Sequence, residues 1–86
     1  MKYTQHTLDK LEELLTAIGY VVRYERGTFQ SGYCILEQRK VVVLNKFLQL
    51  EGRINTLVEI IPRLVTDPAG LSDEARKIFE QIHAKA

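Results

Sequence analysis

The sequence predicts a single α+β domain in the order α-β-β-β-α-α, with a three-stranded, mostly antiparallel sheet packed by helices. Three observations predict it. Apolar residues recur at helical spacing near the start of the chain; three short runs rich in β-branched and aromatic residues follow; and helical spacing returns from about Leu50. A small sheet covered by helices buries all of these stripes together. With 86 residues the chain has room for one domain, residues 1–86, and shows no linker, repeat or low-complexity stretch.

The first helix is expected from about Gln5 to Ile18. Leu8, Leu11, Leu15 and Ile18 fall at i, i+3, i+7 and i+10 with Leu14 beside them, and Asp9, Lys10, Glu12 and Glu13 take the other side. Thr4 or Thr7 supplies an N-cap oxygen, and Gly19 stands where a left-handed stop is needed. The strand-like runs are Tyr20–Glu25, Tyr33–Glu37 and Lys40–Asn45. The third, with three consecutive valines and a leucine, is apolar on both faces, as in a strand covered on both sides. Only Gln38 and Arg39 separate the second and third runs, which predicts a hairpin.

Leu50, Ile54, Leu57, Val58, Ile61, Leu64 and Val65 form the stripe of the second helix, which Pro62 should kink or end. Asp67-Pro68-Ala69-Gly70 reads as a turn. Ser72 then caps a last helix with Asp73 and Glu74 in its first turn and Ala75, Ile78, Phe79 and Ile82 inward.

Twelve basic against eleven acidic side chains leave a net charge of +1, so no global field points to nucleic acid or an anionic membrane. Residues 23–63 hold a local surplus of three positive charges, from seven basic and four acidic groups. The longest apolar run, Val41-Val42-Val43-Leu44, is far short of the roughly 20 residues of a membrane span. A lone cysteine, Cys34, and a polar start without an apolar leader predict a soluble, cytoplasmic protein.

No catalytic or cofactor motif is complete. His6, His83 and Cys34 lack the spacing of a zinc site, so neither metal nor other cofactor is expected. Cys34 sits mid-strand, the setting of an inert thiol; a Cys–His pair with His6 or His83 would require the fold to bring them together. Gly27 to Gly32 has the glycine spacing of a phosphate-binding loop, but Tyr33 and Cys34 stand where lysine and a hydroxyl are required. The carboxylate pairs Glu51 with Glu59 and Glu12 with Glu13 read as solvated helix faces.

Basic residues interleaved with aromatics are a more pointed signal. Arg23, Tyr24, Arg26, Phe29 and Tyr33 cluster around the first connection, with Arg39, Lys40, Lys46 and Arg53 as neighbours; rings plus a basic groove are how sheets hold single strands. The plain alternative places the rings partly in the core and the arginines in water.

From Tyr24 to Cys34, then Val41 to Lys46 and Glu51 to Asn55, the chain resembles a group of short uncharacterised bacterial proteins, over about residues 8–65. More distantly, the run through Gly32–Leu36, Val41–Asn45 and the next helix is similar to the core of ImmA/IrrE-type zinc metallopeptidases. There a strand ending in Asn precedes a helix with an arginine and the HExxH motif. Arg53 matches that arginine, and Val58-Glu59-Ile60-Ile61-Pro62 occupies the motif's place. Glu59 survives while Val58 and Pro62 replace both histidines, so the resemblance implies a catalytically dead or residual hydrolase, without the imidazoles that hold the metal.

The leading expectation is a non-enzymatic domain that binds another protein or itself. Ile60 lies off its helix stripe, and Phe29 and Phe47 fall in loops, as interface anchors or as cover for the sheet's second face. A small nucleic-acid-binding protein using Arg23, Arg26, Phe29, Tyr33 and Lys46 is the alternative. The candidate interaction face comprises Arg26, Phe29, Tyr33, Asn45, Lys46, Arg53 and Asn55.

Overall fold

The computed structural model describes residues 2–26 and 33–85, with side chains described as far as residue 82. Helix α1 spans Gln5–Ala17, strands β1 Val21–Glu25, β2 Tyr33–Leu36 and β3 Val41–Asn45, helix α2 Leu50–Leu64 and helix α3 Asp73–Lys85. The chain is α+β in the expected order, with a 3-10 turn at Pro68–Gly70 before α3.

The sheet is mixed, a departure from the mostly antiparallel arrangement expected. Its order is β1-β3-β2: β2 and β3 form the antiparallel hairpin, while β1 pairs parallel with β3. The reason is directional. The chain runs along β1, back along β2 and forward again along β3, so a β3 inserted between the other two is necessarily parallel to β1. The most apolar strand thus takes the centre, where both of its flanks are hydrogen-bonded.

Local chemistry sets the ends of these elements. The Thr4 hydroxyl accepts the Thr7 N–H and caps α1, and Gly19 stops it at φ +90°, a conformation that costs a side chain about 1–2 kcal/mol. The β2–β3 turn closes through Arg39 N–H to Leu36 C=O and Lys40 N–H to Glu37 C=O, each 3.2 Å, with Lys40 left-handed at φ 53°. Pro62 lies inside α2, which ends two residues later with the Val65 N–H on the Ile61 carbonyl. Ser72 accepts the Ala75 N–H at 3.2 Å, the cap expected for α3.

All three helices contribute to one core with a single face of the sheet. Leu8, Leu11, Leu14 and Leu15 of α1 meet Val42 and Leu44 of β3, Ile54, Leu57, Ile60 and Ile61 of α2, and Ala75 and Ile82 of α3. Ile60 is 0% exposed, which corrects its reading as a surface anchor or a cover for the sheet's second face. Because α2 packs against both α1 and α3, its apolar arc is wider than one stripe and takes in Ile60. Val43 points away from the helices, yet it is buried, flanked in register by Arg23 and Cys34. Its central position between two strands, more than a second helical layer, accounts for its apolar character. No helix among the described residues is long and apolar enough to cross a membrane.

Candidate functional site

The strands β1 and β3 end together, Glu25 opposite Asn45, and the Lys46 N–H donates to the Glu25 carbonyl at 3.0 Å. Asn45 then turns the chain: its Oδ1 accepts the Phe47 N–H at 3.0 Å, and its carbonyl accepts the Leu48 N–H at 3.0 Å. The turn throws the Phe47 ring outward, where it is 66% exposed. The Arg26 guanidinium lies 5.8 Å and the Lys46 ammonium 5.4 Å from its centre, within cation–π range. Neither cation is ion-paired among the described residues, whereas Arg23 sits 3.6 Å from Glu25.

Arg53 reaches back from the first turn of α2. Its Nε donates to the Leu48 carbonyl at 2.9 Å and an Nη to the Lys46 carbonyl at 3.0 Å, and its guanidinium lies 4.5 Å from the centre of the Tyr24 ring. These bonds fix the carbonyls on either side of Phe47, so Arg53 holds the turn in place. Tyr24 completes the clamp by donating its hydroxyl to the Glu12 carboxylate. Partial burial, helped by that carboxylate, raises the phenol above its ordinary pKa of 10.0.

The structure therefore brings together Arg26, Asn45, Lys46 and Arg53, around a ring that sequence reasoning placed in a loop but left off the face. Tyr33 shares that end of the sheet on the helix-facing side, in one row with Leu44 and Tyr24. Asn55 lies elsewhere, accepting the Tyr3 hydroxyl at 2.8 Å; two residues beyond Arg53, it points about 200° away around the helix. Phe29 and the Gly27–Gly32 spacing lie outside the described residues.

A second surface is the sheet face turned away from the helices. Val21, Val41 and Leu36 form one row across β1, β3 and β2, and Cys34 flanks Val43 in the next. Val21 is 56% and Leu36 41% exposed, and Val41 and Cys34 are half-buried.

The remaining candidates for chemistry stay apart. Cys34 is on that outer face, while His6 lines a cleft of about 380 Å³ between α1 and α3 with Lys2, Lys10, Glu74 and Lys77. The His83 side chain lies outside the described set. Glu59 is exposed and 3.6 Å from Arg63, one turn on. Among the described residues no three His, Cys, Asp or Glu side chains are placed to hold a metal. No family model, curated protein or solved structure matches this chain.

Proposed function

We propose that this chain is a non-enzymatic, cytoplasmic association domain that binds protein, a second copy of itself included, through the outer face of its sheet. The observation that carries the reading is the apolar row Val21–Val41–Leu36, which crosses all three strands with its two ends exposed. Scattered surface aliphatics are ordinary; a contiguous row on a sheet face that, among the described residues, carries no helix of its own is what an interface requires. Methyl signals followed over a concentration series test it. Those of Val21, Leu36 and Val41 should shift as the chain is concentrated, while those of the core residues Leu11 and Leu57 hold still. Outer-face methyls that never move would overturn self-association.

A second reading rests on Phe47. A ring this exposed, with Arg26 and Lys46 beside it, offers a base-stacking platform next to two phosphate-pairing cations. Binding of a mixed-sequence single-stranded oligonucleotide should weaken steeply with salt and be lost in Phe47→Ala. Affinity indifferent to both changes would contradict it.

A further inference from the structure

We propose that two copies of this chain join edge to edge, β2 pairing antiparallel with β2 of the second copy about a two-fold axis at Ile35. The two sheets would then form one sheet of six strands. This rests on the association reading above and names its partner and its contact.

The backbone dictates which groups are available. The Val21 N–H donates to the Lys40 carbonyl at 2.9 Å, and the Lys46 N–H donates to the Glu25 carbonyl at 3.0 Å. Because a strand alternates the side to which its peptide groups point, Val42 and Leu44 present theirs to β1, and Val41 and Val43 present theirs to β2. The register Leu36 opposite Val41 and Cys34 opposite Val43 then turns the peptide groups of Cys34 and Leu36 inward. Those of Ile35 point out from the sheet.

The two edges differ in what guards them. β1 carries Arg23 and Glu25 on its outer face, and α1 packs against it. β2, Tyr33-Cys34-Ile35-Leu36, has neither a charge nor a proline. Natural edge strands avoid pairing by means of inserted charges, prolines, bulges or covering elements; β2 lacks the first two, whereas β1 carries Arg23 and Glu25 and packs against α1.

Side chains choose the register. Centred on Ile35, the pairing lets the Ile35 N–H and C=O exchange two bonds with Ile35 of the second copy. It also sets Cys34 against Leu36 of the second copy, twice, on the outer face at the closer, non-bonded spacing. The exposed Leu36 gains an apolar neighbour. A pairing centred on Cys34 would set Leu36 opposite Gly32, a residue with no side chain to pack against it. The contact is isologous and closes with two chains. Strands this short place it at the small end of interfaces, below about 1,200 Å² in total, so the dimer should form reversibly.

Sedimentation over a concentration series tests the proposal with three single variants. Ile35→Pro deletes the outward N–H and leaves the bonds to β3 intact, since proline is accepted on an edge strand whose N–H faces solvent. Leu36→Lys puts a charge on an already exposed position of the same contact, and Val21→Lys does so at the far edge. The wild type should move from one chain toward two with concentration. Ile35→Pro and Leu36→Lys should stay at one, and Val21→Lys should follow the wild type. Should Ile35→Pro not fold, Leu36→Lys decides. Folded Ile35→Pro and Leu36→Lys proteins that dimerise normally, with Val21→Lys alone losing the dimer, would overturn edge pairing and keep the outer-face reading. A wild type that remains one chain throughout would overturn edge pairing and self-association through the outer face alike.

Discussion

Leu44 is flanked in register by two tyrosines, Tyr24 on β1 and Tyr33 on β2, and the two have opposite surroundings. Tyr24 is tied to the helices, its hydroxyl on Glu12 of α1 and its ring under Arg53 of α2. Tyr33 faces the same way from β2 and packs against the core. β1 is tied to the helices through the hydrogen bond and cation–π contact of Tyr24, whereas β2 pairs with β3 and packs Tyr33 and Ile35 against the core. An element paired along one flank and packed on one face can still present its other flank to another chain.

The largest expected effect follows directly. Tyr24→Ala removes a half-buried ring together with its hydrogen bond and cation–π contact, and should cost about 3 kcal/mol by chemical denaturation. Tyr33→Ala should cost about 1 kcal/mol; equal costs at the two positions would break the comparison. Arg53→Lys keeps the charge but loses the fork that serves two carbonyls. It should cost about 1–2 kcal/mol and loosen the Phe47 turn, seen as sharper, averaged Phe47 signals. The smallest effect is one of pH. The Tyr24 phenol is raised in the folded state, so its contribution is complete below about pH 10 and fades as pH rises above that value. The alkaline fall in stability should be shallower in Tyr24→Phe.

Much of this architecture was legible in the sequence, because helical and strand periods, the Thr4 and Ser72 caps and the Gly19 stop act within a few residues of one another. What escaped was set by long-range packing. The parallel pairing of β1 with β3 depends on which strand takes the centre of the sheet, and Ile60 is buried by the helices on both sides of α2. The candidate face was half legible for the same reason. Arg26, Asn45 and Lys46 gather because two strands end together, which their positions beside the strand runs suggested. Arg53, expected on the face, also serves carbonyls five and seven residues back, and Asn55 lies around the helix beside Tyr3.

The most direct measurement is amide hydrogen exchange at single-residue resolution, at low and high protein concentration. The Ile35 N–H points away from β3, and on the opposite edge the Val22 N–H points away from β3 as well. If β2 pairs with its copy, exchange at Ile35 should slow as concentration rises while exchange at Val22 stays unchanged. An Ile35 amide that exchanges at the same rate at both concentrations would contradict the account.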